Sequence, residues 1–99
     1  GTGVAMKLPK GTFGAIFARS GLATKNGLRP ANCVGVCDSD YRGEYIAPLH
    51  NDTEEIQVVK PGDRIAQLVL MPYIQMDFIE VDELEETERG TGGFGSTGE

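Results

Sequence analysis

Four short blocks of this sequence hold side chains capable of chemistry. At Arg19, Ser20 and Gly21 a guanidinium, a hydroxyl and an unencumbered amide follow one another at the end of a β-rich stretch, where they could converge on phosphate oxygens. At Asp38, Ser39, Asp40 and Tyr41 two carboxylates and a phenol crowd one tip. Gln67 sits within the apolar run that follows Gly62, Asp63 and Arg64, and its amide can both donate and accept. The last block, Arg89 to Gly98, is glycine-rich and carries Arg89, Phe94, Gly95, Ser96 and Thr97, but it matches no Walker pattern. Each block taken alone has a plainer reading. A Ser-Gly turn with a surface arginine, a solvated Asp-Ser turn, a strand aromatic in the core and a low-complexity tail would account for them one by one.

Positioning these groups falls to short β-strands. Stretches of β-branched and aromatic residues recur between Gly, Pro, Asn and Asp clusters with little period near 3.6, which predicts an all-β barrel or sandwich. Strands are expected near Val4 to Leu8, Phe13 to Phe17, Cys33 to Cys37, Glu44 to Leu49, Ile56 to Val59, Ile65 to Pro72 and Phe78 to Val81. Ile65, Leu68 and Leu70 are expected in the core or an interface, and Pro48 suggests an edge or bulge. The segment Ser20 to Leu28 is bounded by glycines and reads as a loop with one turn at most. Seven acids between Asp77 and Glu88 form a solvated connector. Residues 1–88 therefore read as one barrel domain, and residues 89–99, with five glycines and one aromatic, as a mobile arm.

Ninety-nine residues allow one modest core, so burial between identical subunits would help. The net charge of −6 disfavours a nucleic-acid polymer as partner, although a local cluster of arginines and amides can still hold a small phosphate ligand. Cys33 and Cys37, four apart on one strand, cannot readily close a disulfide. With His50 as the only histidine, they read as small buried hydrophobes in a reducing compartment rather than zinc ligands. No apolar run approaches the roughly 18 residues that span a membrane as a helix, and no secretory pattern opens the chain. A cytoplasmic location is the expectation.

In order and spacing the four blocks, RSGLA at Arg19 to Ala23, GVCDSDYRGE at Gly35 to Glu44, GDRIAQLVL at Gly62 to Leu70 and RGTGGFGSTG at Arg89 to Gly98, resemble motifs two to five of the trimeric dUTP pyrophosphatases. The likeness covers nearly the whole chain. It implies a jelly-roll barrel, a homotrimer with sites shared between subunits, and hydrolysis of dUTP to dUMP and pyrophosphate with Mg²⁺ as cofactor. Carried over residue by residue, Asp38 would activate the attacking water and Ser20 would contact the α–β bridging oxygen, with Arg19 and the Gly21 amide nearby. Tyr41 would pack on the deoxyribose and leave no room for a 2′-hydroxyl. Asn32 with the hairpin backbone would read the uracil edge, excluding cytosine by hydrogen bonding and thymine by its methyl. Gln67 would reach the α-phosphate or the water from a neighbouring subunit, while Asp63 and Arg64 would serve the fold and an internal ion pair. Arg89 would grip the γ-phosphate, Phe94 would stack on the base, and Gly95, Ser96 and Thr97 would close as a lid.

One departure stands out. The family carries an Asp-containing first motif ahead of the position of Thr2 and Gly3, and nothing here replaces it, so this chain offers no direct metal ligand of that kind. Two alternatives stand beside this reading: a catalytically silent trimer that binds dUTP or a protein partner, which gains weight only if the first motif is absent from the expressed chain, and the fold-related dCTP deaminase. The deaminase pattern uses a Glu and a different second motif, where this sequence has Asp38 and RSGLA.

Overall fold

The computed structural model describes residues 1–95. Its centre is β1 (Thr12–Ala18), a mix of β-formers and small residues that bonds on both edges. Along one edge runs β3 (Gly35–Asp38), and along the other β5 (Ala66–Pro72), both antiparallel to β1. Ala15, fully buried, faces Val36 on one side and Val69 on the other. A second, two-stranded antiparallel sheet joins β2 (Leu28–Pro30) to β4 (Leu49–Asn51). The expected all-β character holds, and the strands predicted at Phe13 to Phe17 and Ile65 to Pro72 are present with slightly longer or shorter bounds.

Several expectations are corrected. Ser20 to Asn26 forms helix α1, nearly two turns, where a loop was expected. Gly27 makes this possible: it caps the helix in the left-handed conformation (φ 67°), and its N–H reaches back to the carbonyl of Ala23 at 3.1 Å. The strand expected at Cys33 to Cys37 begins only at Gly35, because Cys33 itself has φ 64° and cannot lie in a ladder. Leu28–Pro30 and Leu49–Asn51 pair, although no strand was expected at the first and only the end of one at the second.

The remaining expected strands, Val4 to Leu8, Ile56 to Val59 and Phe78 to Val81, do not form within the chain, and of Glu44 to Leu49 only Leu49 is in a strand, as the start of β4. Extended backbone becomes a strand only against a partner edge, and most of these segments have none here. The exception is partial: the Tyr45 N–H donates to the Val4 carbonyl at 2.8 Å, and the Thr2 N–H to the Tyr45 carbonyl at 3.0 Å. The core is correspondingly thin, with Leu8, Ala15, Leu28 and Tyr45 as its buried hydrophobics. Leu68 and Leu70, expected in a core or interface, are partly exposed in the single chain.

Candidate active site

Pairing of β1 with β3 sets Asp38 opposite Phe13 at the end of β3, so the chain must turn immediately beyond it. The Tyr41 N–H donates back to the Asp38 carbonyl at 3.2 Å, and the Arg42 guanidinium staples the turn by donating to the carbonyls of Ser39 at 2.7 Å and Tyr41 at 3.3 Å. The Tyr41 hydroxyl donates to the Glu44 carbonyl at 2.8 Å. Gly43 permits that bond, since a Cβ there would collide with the Tyr41 hydroxyl. On the other side of the site, the Ala31 N–H donates to the Pro48 carbonyl at 2.8 Å, continuing the β2–β4 register by one pair, and the Val34 N–H donates to the Asn32 carbonyl at 2.7 Å. These turns bring Asn32, Asp38 and Tyr41 around one cavity of about 400 Å³, walled also by Ile16, Val36 and Tyr45. That volume lies at the small-ligand end of the usual range.

The cysteines differ from expectation. Cys33 is exposed and Cys37 only half-buried. Cys37 lines the cavity, and burial, with the Asp38 charge beside it, pushes its thiol pKa up. At physiological pH it is a neutral wall rather than a nucleophile.

A second cleft, about 220 Å³, lies where β1 gives way to α1 and is lined by Arg19, Ser20, Gly21, Leu22 and Gln67. Gln67 stands opposite Phe17 in the β1–β5 register and donates its amide to the Ala18 carbonyl at 2.7 Å. That bond fixes the carboxamide beside the Ser20 turn. The two clefts share no lining residue.

Arg89 and Phe94 line neither cleft. Arg89 donates through Nε to the Gly92 carbonyl at 2.6 Å and accepts from the Gly92 N–H at 3.1 Å, closing a local turn. Phe94 (φ 52°) is fully exposed, and Gly95 (φ 81°) continues the turn. Ser96 and Thr97 lie outside the described residues. The ion pair expected for Asp63 with Arg64 is not among those of the described residues; Asp63 instead accepts from the Lys60 N–H at 2.8 Å. Sequence reasoning missed Tyr45, Ile16 and Val36 as cavity walls. Only the aromatic spacing Tyr41 to Tyr45 hinted at the first.

Sheets beside a cavity at the turn that ends β3, with a separate Ser-Gly cleft where β1 ends, define the class: an all-β jelly roll carrying two distinct clefts on one chain. A profile of the dUTPase family matches residues 1–98, and the chain belongs to that family. The deoxyuridine 5′-triphosphate nucleotidohydrolase of Desulfitobacterium hafniense (strain DSM 10664 / DCB-2) is 57% identical over 98 residues, which are 98% of this chain and 65% of that protein. The corresponding protein of Paramecium bursaria Chlorella virus 1 is 54% identical over 97 residues, 98% of this chain and 67% of its own length. The chain thus spans about two thirds of the curated relatives it matches. Among solved structures, the Staphylococcus bacteriophage 80alpha dUTPase with bound dUpNHpp superimposes with a TM-score of 0.78 at 28% identity, over 93% of this chain and 70% of that one. A mutant of the same phage enzyme with dUpNHpp gives a TM-score of 0.74 at 26% identity, over 94% and 70%.

Proposed function

We propose that this chain is part of a dUTP diphosphatase whose sites are completed between subunits of a homotrimer. The observation that carries the reading is the grouping of Asn32, Asp38 and Tyr41 around one cavity of nucleoside size in a chain of the dUTPase family. In this reading Tyr41 packs on the deoxyribose, with its hydroxyl tied to Glu44 so that the ring, not the polar tip, meets the sugar. Asn32 and the backbone around it meet the uracil edge.

Asp38 accepts a proton from water as the water oxygen bonds to the α-phosphorus. The bond from that phosphorus to the α–β bridging oxygen breaks, and pyrophosphate leaves with the electron pair. Ser20, Arg19, the Gly21 amide and Gln67 steady the phosphates, so most of the catalysis is positioning and charge stabilisation. Because the Ser20 cleft is separate from the Asp38 cavity, the reading places the Ser20 and Gln67 of one copy against the Asp38 of another. The arm of a third copy, residues 89–99, supplies Arg89 and Phe94, with Ser96 and Thr97 as the proposed lid.

Mg²⁺ fits this chain poorly as a protein-held ion, since the described residues include no group of three or more His, Cys, Asp or Glu side chains able to hold one. We take Mg²⁺ to arrive with the triphosphate.

Product analysis tests the reading. Incubation with dUTP, dCTP, dTTP and UTP should release dUMP and pyrophosphate from dUTP alone. Ammonia from dCTP would replace this reading with a deaminase, and tight dUTP binding without any product would leave a silent binding module.

A further inference from the structure

The cavity has a wall that none of the residues assigned above explains. Tyr45 lines it and is only 4% exposed, the one aromatic among the buried hydrophobics. Its backbone is held from both sides. The N–H donates to the Val4 carbonyl at 2.8 Å, and the carbonyl accepts from the Thr2 N–H at 3.0 Å and the Thr2 hydroxyl at 2.7 Å. Its ring centroid lies 6.0 Å from that of Tyr41, with the planes tilted by 31°. Its hydroxyl, by contrast, is buried with no hydrogen-bond partner among the described residues. Backbone and packing therefore hold this ring, and its polar tip does not.

Tyr41 is in the opposite situation. It is 43% exposed, and the side-chain hydrogen bond that restrains it is the one from its hydroxyl to Glu44. A single bond at the far end of a ring leaves the ring free to tilt about it. The fixed neighbour at aromatic packing distance limits that tilt.

We infer that Tyr45 is a positioning residue for sugar selection: it buttresses Tyr41 and so sets how strongly the site refuses a 2′-hydroxyl. The inference rests on the proposed reading of the cavity as a deoxyuridine pocket. It extends that reading to a residue that touches neither phosphates nor the reacting water.

The test is a pair of affinities measured by calorimetry on the purified protein, for dUpNHpp and for its ribonucleotide counterpart UpNHpp. Tyr45→Phe keeps the ring and removes a hydroxyl that has no partner, so the ratio of the two affinities should stay as in the unaltered protein. Tyr45→Leu removes the ring, and the ratio should fall by about tenfold. A Tyr45→Leu protein that retains the full ratio overturns the inference while the deoxyuridine reading stands. A Tyr45→Phe protein that loses as much as Tyr45→Leu overturns it too, because the hydroxyl would then be the acting group. If Tyr45→Leu fails to fold, Tyr45→Met serves in its place, since a flexible thioether fills the gap without supplying an aromatic face. If the unaltered protein itself binds both analogues equally, the deoxyuridine reading fails and the inference falls with it.

Discussion

At the scale of single residues, Asp38 carries the proposed chemistry and Cys33 carries strain. Asp38 stands at the end of β3 in a cavity wall, so replacing it with Asn changes charge and basicity with little change of shape. Turnover of dUTP by Asp38→Asn should fall by about 100- to 10,000-fold while affinity for dUpNHpp changes by less than about tenfold. Near-normal turnover would remove Asp38 as the base. Cys33 is exposed and holds φ 64°, a conformation that costs an L-residue about 1–2 kcal/mol. Glycine adopts it freely, at an entropic cost in the unfolded chain of about 0.5–1 kcal/mol. Cys33→Gly should therefore raise the melting temperature by about 2–5 °C, whereas the β-branched Cys33→Val should lower it. Equal melting temperatures for both variants would show that the conformation stores no strain.

At the scale of elements, the β2–β4 pair is clamped by one ion pair. Arg29 donates to Asp52 through Nε at 2.8 Å and Nη2 at 3.1 Å, and His50 Nε2 lies 3.4 Å from the same carboxylate. The Arg29 guanidinium holds the Asp52 carboxyl below its ordinary value, and Asp52 in turn raises Arg29. A depressed carboxyl stabilises the fold above its unfolded pKa and loses that contribution as pH falls through the lower folded value. The clamp should hold unchanged at neutral pH and fade only below about pH 4. Melting curves of the unaltered protein and Asp52→Asn should thus differ at pH 6 and converge in acid. A gap that persists in acid strong enough to protonate the folded carboxyl would mean the carboxylate's charge is not what stabilises the pair. Because the pair is solvent-exposed, the gap should be small and should shrink in high salt.

At the scale of the whole molecule, the chain is more extended than a compact domain of its length. Its radius of gyration is 19.0 Å, against about 13 Å for a compact domain of this length. Beyond β5, Ile74, Met76 and Phe78 alternate with Gln75 and Asp77 and are all exposed. That is strand patterning without a sheet. A second copy with a free strand edge is the partner proposed for it. Sedimentation should therefore give a trimer, with melting that depends on protein concentration. Mixing Asp38→Asn and Phe94→Ala subunits under conditions of verified exchange should recover activity above either parent, and no recovery would refute the shared site. Removing residues 89–99 should abolish turnover and leave the trimer intact. A monomeric product would instead make the arm a structural strap.

Much of this was legible in the residues themselves. The order and spacing of RSGLA, GVCDSDYRGE, GDRIAQLVL and RGTGGFGSTG identified the family, and the residues after Asp38 marked the turn that ends β3, because turn chemistry is written in contiguous residue types, although the hairpin expected there does not form: β3 pairs with β1. Tertiary structure decided what depends on neighbours distant along the chain. Partner edges turned Leu28–Pro30 into a strand and left Phe78 to Val81 without one, since a ladder's hydrogen bonds need a second strand that no local pattern names. Long-range pairing of β1 with β3 and β5 put Asp38 and Ser20 into different clefts, and the Thr2–Val4 backbone fixed Tyr45 behind Tyr41. Those separations and supports arise from contacts tens of residues apart, and only the folded chain brings such residues into reach.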